Sequence, residues 1–165
     1  MVSASHLDRI YAYFILGDFE RPLVHADQGA FLSVALKDTA KTAKIWEQKA
    51  QVLEELGRIA EARPVVEASI QLLKNDTASQ YSLANQYRLL GYILESSSDR
   101  QGCLKQYQMA YVVARQCKHE NLSDFLTPIG YYYYKQGAYQ TAIGSYRQPL
   151  ALNKLRFNIS VLHDQ

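Results

Sequence analysis

The chain has 165 residues, of which 48% are hydrophobic and 21% charged, a composition typical of a globular domain rather than a disordered chain. Its formal net charge is only +2 and its lysine and arginine residues do not cluster, which argues against nucleic-acid and membrane-surface partners. The longest apolar run near the start, residues 10–16, is too short to span a bilayer, and Asp8 and Arg9 interrupt a signal sequence, so we expect a cytoplasmic protein.

A glycine followed by a bulky side chain recurs along the chain and predicts a set of helical hairpin turns. The glycines are Gly17, Gly57 and Gly137, with 40 residues between the first two and 80 between the last two. A fourth turn is therefore expected near residue 97, where residues 96–99 supply capping side chains but no glycine. Seven residues before the turns lie the positions where two helices should approach each other: Ile10, Ala50, Gly91 and Gly130.

Residues 45–73 show how one repeat is expected to fold. Apolar or small side chains recur every three or four residues up to Leu56, which predicts a helix that ends at Gly57 in the left-handed conformation. A second stripe from Ala62 to Leu73 predicts the returning helix. Trp46 is expected to be largely buried between the helices of its own unit and a neighbour.

These residues resemble the tetratricopeptide repeat, whose signature begins W-x2-L-G-x2-Y and continues through G-x-[YF] to a small and then an aromatic residue. Trp46 matches the tryptophan, and the best copy is Gly130-x2-Tyr133 followed by Gly137-x-Tyr139-x2-Ala142-x3-Tyr146. The resemblance implies an all-α, right-handed superhelical solenoid of four hairpins within a repeat domain at residues 1–150. The units are residues 4–37, 40–74, 79–118 and 123–150.

The repeats are about 40 residues long, whereas the common tetratricopeptide unit has about 34. Longer units of this kind resemble those of kinesin light chains, of bacterial regulatory proteins that bind peptides and of sensor regions attached to bacterial signalling enzymes. Tyrosines at signature positions are expected in the core; they are Tyr87, Tyr107, Tyr133, Tyr139 and Tyr146.

The resemblance also implies a concave groove, lined by the first helix of each unit, that binds a protein or peptide. Aromatic and arginine side chains dominate binding hot spots, and Arg88 would favour a ligand carboxylate, while the glutamates would disfavour a highly acidic ligand. The predicted groove residues are Leu7, Tyr11, Phe14, Glu47, Gln51, Glu54, Arg88, Tyr92, Glu95, Thr127, Tyr131 and Tyr134. An alternative for Tyr131 and Tyr134 is a surface covered by a further helix.

Catalysis finds little support in the sequence. The four histidines, among them His119 in a predicted loop, have no nucleophile or acid at a motif spacing, and no phosphate-binding glycine loop occurs. Cys103 and Cys117 form no metal-ligand pattern and are expected to be reduced, buried thiols. We therefore predict no enzymatic activity, no cofactor and no metal site.

Two interpretations of the binding role remain open. The chain is either the sensor or interaction domain of a larger signalling protein, or a stand-alone small adaptor or structural subunit. Residues 151–165 follow Pro149 and are expected to form a capping segment or the start of a linker. Homodimerisation through this end, involving Phe157 and Leu162, is a further expectation.

Overall fold

The computed structural model describes residues 20–97, 99–119 and 121–147. These ranges contain helices and turns and no β-strand, which confirms the predicted all-α class. The helices are α1 (Glu20–Ala35), α2 (Thr39–Glu55), α3 (Ile59–Leu73), α4 (Gln80–Ser96), α5 (Arg100–Gln116) and α6 (Ser123–Lys135), followed by α7 at residues 139–147. A single 3₁₀ turn, Thr77–Ser79, precedes α4. No helix within the described ranges is long and apolar enough to cross a membrane.

The helices stack in chain order as antiparallel hairpins. Each of α1 to α5 packs on the helix that follows it, and α2 and α4, the first helices of neighbouring hairpins, also contact each other. A fully buried side chain, Gln86 of α4, ties these two helices together, because its Nε2 donates to the backbone carbonyl of Ala43 in α2 at 3.3 Å. The main buried cluster extends from Leu23 in α1 to Ile129 in α6, so successive hairpins share a core, as expected for a solenoid.

The turns inside the hairpins form where glycine predicts them. Gly57 and Gly137 adopt φ values of +70° and +75°, a conformation that costs glycine little because it has no Cβ. After α2, the backbone N–H of Arg58 donates to the carbonyl of Leu53 at 2.8 Å. Such a bond satisfies a carbonyl that the helix leaves without a partner, and so ends it cleanly.

Aspartate side chains start three of the helical segments. Asp38 accepts from the backbone N–H of Lys41 at 3.1 Å, and Asp76 caps the 3₁₀ turn before α4. Asp99 accepts from the N–H of Gly102 at 2.9 Å. The turn without a glycine therefore contains a capping residue, Asp99, as predicted, and α5 begins at the next residue.

The two helices of a hairpin approach closely where a small residue faces a large ring. A Cβ atom at Gly91 would lie 2.4 Å from Cδ1 of Tyr107, and one at Gly130 would lie 2.8 Å from Cε1 of Tyr146. Both distances are far below van der Waals contact. The glycines of the repeat signature therefore provide the space that the tyrosine rings occupy.

Most of the side chains expected in the core are less buried than predicted: Tyr87, Tyr133 and Tyr146 are half-buried. Tyr107 is buried as expected, but Tyr139 is 59% exposed, because it opens α7 and its ring contacts only the ring of Tyr134 among its described aromatic neighbours. Trp46 is half-buried rather than largely buried. It packs on a small buried cluster made of Ala26 and Ala30 of α1 and its neighbour Ile45.

Candidate functional site

One surface of the solenoid is formed by the first helices α2, α4 and α6, and we call it the first-helix face. On each helix the predicted groove residues are spaced by four and then three positions, so they share one side of that helix. The face is lined by Glu47, Gln51 and Glu54 of α2, Arg88, Tyr92 and Glu95 of α4, and Thr127, Tyr131 and Tyr134 of α6. All of these side chains are exposed or half-buried. Leu7, Tyr11 and Phe14 lie outside the described residues.

Arg88 is anchored between two neighbouring hairpins. Its guanidinium carbon lies 5.3 Å from the ring centroid of Phe125, a buried residue of α6, and its Nη2 is 3.4 Å from Oδ1 of Asn85. A cation over an aromatic face is attracted by the negative potential of the ring. The guanidinium is therefore positioned by the fold before any ligand arrives.

Glu95 joins three helices and is not a free acid of the face. The hydroxyl of Tyr107 donates to Oε2 at 2.9 Å, and Nζ of Lys135 lies 2.8 Å from Oε1. Burial raises the pKa of Tyr107, and the accepting carboxylate raises it further, so the phenol stays protonated and remains the donor. Glu95 thus has a structural role that spacing alone did not predict.

The C-terminal part of the face is an exposed aromatic cluster. Tyr131 and Tyr134 stack with ring centroids 6.5 Å apart, and their exposed fractions are 46% and 56%. Nζ of Lys135 lies 4.9 Å from the ring centroid of Tyr131. Large rings left open to solvent on one side of a repeat protein are the kind of surface at which partners bind.

Glu54 differs from the other acids of the face. Glu47 lies 3.3 Å from Nζ of Lys44, whereas no hydrogen bond or ion pair joins the Glu54 side chain to any other side chain in the described ranges. Burial raises the pKa of Glu54, and the neighbouring charge of Glu55 raises it further. Glu54 is therefore a partly desolvated carboxylate that has no counter-charge among the described side chains.

The phenol of Tyr92 experiences charges from three successive hairpins. Its pKa is raised chiefly by burial; the charge of Arg88 lowers it, and the carboxylates of Glu95, Asp124 and Glu54 raise it. The Tyr92 ring meets the Tyr107 ring edge-on, with centroids 5.4 Å apart, and 37% of the residue is exposed. Tyr92 is therefore a partly exposed ring of the first-helix face that lies among charged side chains of both signs.

Sequence reasoning missed three residues of this surface: Asn85, Asp124 and Lys135. Asn85 and Asp124 lie three positions before Arg88 and Thr127, so one more turn of the same periodicity would have included them. Lys135 follows Tyr134 directly and no periodicity indicates it. It reaches Glu95 across 40 positions of sequence, and only the stacking of hairpins brings the two together.

Replacing Glu54 with glutamine is expected to stabilise the protein at neutral pH. Because the pKa of Glu54 is raised in the folded state, the penalty for ionising it is fully present above that pKa and vanishes below the unfolded-state value. The melting temperature of Glu54→Gln should exceed that of the parent at pH 7, and the difference should shrink towards about pH 4. Glu55→Gln, at the exposed neighbour, is the comparison: it removes only the second cause of the raised Glu54 pKa and should raise the melting temperature less than Glu54→Gln does. A difference that grows on acidification would contradict this expectation.

The histidine and cysteine side chains His119, Cys103 and Cys117 are buried or half-buried and pack within the fold. His119 lies in a loop, as predicted, and is buried there; it stacks on Tyr81 at 3.9 Å between ring centroids and accepts from the N–H of Asn121. Cys103 is buried and burial raises its pKa, while Cys117 is half-buried, and both are free thiols. In the part of the chain that the structure describes, no three acidic, histidine or cysteine side chains are grouped to hold a metal ion.

Known proteins resemble this chain in structure, but no match was found to its sequence. No family model matches the chain, and no curated protein matches it. Among solved structures, the apo form of RapI superposes with a TM-score of 0.81 at 14% identity, and BtubC from P. vanneervenii with 0.80 at 17%. A kinesin light chain from Podosopora anserina with nearly identical TPR-like repeats gives 0.76 at 13%.

These matches cover 91–93% of this chain but 42% of RapI, 64% of BtubC and 77% of the kinesin light chain. This chain thus spans less than half the length of RapI. The similarity shows that the chain has the TPR-like solenoid fold which the sequence predicted, and at such low identity it shows the fold alone.

Proposed function

Given a fold shared with TPR-like repeat proteins, we propose that this chain binds a protein or peptide segment along its first-helix face. The observation that carries this proposal is the row of exposed tyrosines Tyr92, Tyr131 and Tyr134. The hairpins are closed by other side chains, namely the glycine and tyrosine pairs of the core, so folding alone does not require these rings at the surface. Exposed aromatic side chains beside a fixed arginine are typical of binding hot spots.

We further propose a peptide ligand and a role as the sensor or interaction part of a larger cytoplasmic signalling protein. One structural neighbour, with a TM-score of 0.80 and 12% identity, is a Rap protein complexed with Competence and Sporulation Factor, which supports a peptide ligand for this fold. Nucleic acid is a poor candidate, because Lys135 is paired with Glu95 and the other acids of the first-helix face, Glu47 and Glu54, outnumber its other cation, Arg88. A binding role needs no catalytic group on this face.

The alternative, a small adaptor or structural subunit, is favoured by a second exposed surface. Helix α1 exposes Val24 and Phe31, at 56% and 74%, and the adjoining Val34 and Leu36 are exposed as well. A scaffold that joins two partners needs two such surfaces. Homodimerisation through the C-terminal end also stays a proposal, since Phe157 and Leu162 lie outside the described residues.

Tyr131→Ala is expected to weaken partner binding by about 1–3 kcal/mol while leaving the melting temperature nearly unchanged, because the ring is almost half exposed. The partner is captured with the intact protein, identified by mass spectrometry, and its affinity is measured by titration calorimetry. Phe31→Ala removes an exposed ring from α1 and is the matched control, with parental affinity expected. Parental affinity of Tyr131→Ala, or loss only in Phe31→Ala, would move the binding site away from the first-helix face.

A further inference from the structure

The centre of the first-helix face carries charges that the fold itself does not neutralise. Within the face, Glu47 is paired with Lys44, and Glu95 with Lys135 and Tyr107. After these internal pairings Glu54 is the acid that keeps no partner among the described side chains. A half-buried carboxylate in this state has lost part of its hydration without gaining a counter-charge.

Arg88, the cation of α4, does not neutralise Glu54. The guanidinium of Arg88 lies over the ring of Phe125 in α6, on the side of the next hairpin, whereas Glu54 belongs to the preceding hairpin. No ion pair joins Arg88 to Glu54 among the residues that the structure describes. The fold thus separates its fixed cation from its unpaired anion.

Tyr92 supplies the second component of a cation site. Its ring is held edge-on by the buried ring of Tyr107, and more than a third of the residue is open to solvent. Tyr92 lies on α4, which contacts α2, the helix of Glu54, and the charges of Glu54 and Asp124 both raise the pKa of its phenol. An aromatic face beside a carboxylate attracts a positive charge through the ring quadrupole and through direct ion pairing.

We propose that Glu54 and Tyr92, on adjacent hairpins, form a subsite for a lysine or arginine side chain of the bound peptide. This inference rests on the proposed function and specifies its ligand: a segment with a basic residue at the centre of the contact and apolar or aromatic residues towards Tyr131 and Tyr134. The basic side chain provides the missing counter-charge, and the exposed tyrosine ring covers its alkyl stem. A carboxylate of the same ligand would be directed to Arg88.

The test uses a library of nonapeptides with acetylated and amidated ends, so that terminal charges do not contribute. One central position is fixed as lysine, arginine, glutamine, leucine or glutamate, and the other positions are randomised. Binding of each pool to the full chain is measured by biolayer interferometry at low salt. The parent should bind the lysine and arginine pools about 10-fold more tightly than the glutamate pool, which is the size expected of one desolvated charge pair.

Variants connect this preference to Glu54. Glu54→Gln should reduce the preference to about 2-fold or less, and Glu54→Lys should reverse it in favour of the glutamate pool. Glu55→Gln removes an equal charge one position away, on the exposed side of the same helix, and should keep the parental preference. Circular dichroism melts accompany each variant, and Glu54→Gln should remain folded because it removes a desolvated charge.

The outcomes separate this inference from the proposed function. Pools that bind without a preference for a basic residue, or a preference that survives in Glu54→Gln, overturn the cation subsite and leave peptide binding intact. If no pool binds the parent more tightly than it binds a blank surface, then peptide binding on this face is wrong and the subsite is wrong with it. A preference that depends on Glu54 and not on Glu55 supports both.

Discussion

Replacing Tyr107 with alanine is expected to lower the free energy of unfolding by about 3–5 kcal/mol, the range found when large aromatic side chains are removed from protein cores. Tyr107 is 1% exposed, and its ring fills the space left by Gly91 across the hairpin. Because Gly91 has no side chain, it cannot fill the cavity that the substitution leaves. Urea unfolding followed by circular dichroism measures the effect.

Tyr107→Phe is the matched control for this prediction. It keeps the ring and removes only the hydroxyl that donates to Glu95, so a loss of about 1 kcal/mol is expected. A result in which Tyr107→Ala costs no more than Tyr107→Phe would mean that the ring does not fill the core between α4 and α5. The hydrogen bond would then account for the whole contribution of the residue.

Gly91→Ala is expected to destabilise the protein by about 1–3 kcal/mol, although alanine is the better helix former. The added methyl group would lie 2.4 Å from the Tyr107 ring, which is buried and held by its hydroxyl. Gly144, in α7, is helical too, but none of the described residues has an atom within 4 Å of where its Cβ would be. Gly144→Ala should therefore raise stability by about 0.5–1 kcal/mol.

The opposite signs make this pair of substitutions informative, since both make the same chemical change in a helix. If Gly144→Ala and Gly91→Ala shift the melting temperature in the same direction, helix propensity dominates and the close approach is not limiting. A second check follows from the neighbouring hairpin, where Ala50 and Val66 occupy the corresponding positions. Tyr107→Val should therefore remove most of the penalty of Gly91→Ala in a double-mutant cycle.

The turns and helices could be predicted from the sequence because their signals are local. The turns at Gly57 and Gly137 could be recognised because a bulky residue follows each glycine in a repeating register. The cap at Asp99 could be recognised because a capping side chain directly precedes a helix. Burial depends on what lies beyond the residue's own hairpin. Tyr139 occupies a signature position, yet it is exposed because the described chain places little against its outer side.

The candidate site could be predicted in part, because helical periodicity is a local signal but charge pairing is not. Helical periodicity places the residues of α2, α4 and α6 on one side of each helix, and this needs no knowledge of other helices. It does not show which charges are already paired. Glu95 was expected to be a free acid of the groove, but it is bound by Lys135, and Arg88 is held by Phe125. Both contacts cross from one hairpin to the next.

Because Glu95 pairs with Lys135 across two hairpins, the junctions between hairpins should differ in how strongly salt weakens them. Between the second and third hairpins the tie is Gln86, a neutral amide sealed from water, which dissolved salt does not weaken. Between the third and fourth it includes a partly exposed ion pair, which mobile ions screen. The stability of a solenoid is approximately the sum of the stabilities of its repeats and of the interfaces between neighbours. Raising the ionic strength should therefore weaken the interface between the third and fourth hairpins more than the one between the second and third. The last hairpin is also held by Phe125 and Ile129, which belong to the buried core, so salt is expected to loosen this junction slightly while the hairpins stay packed.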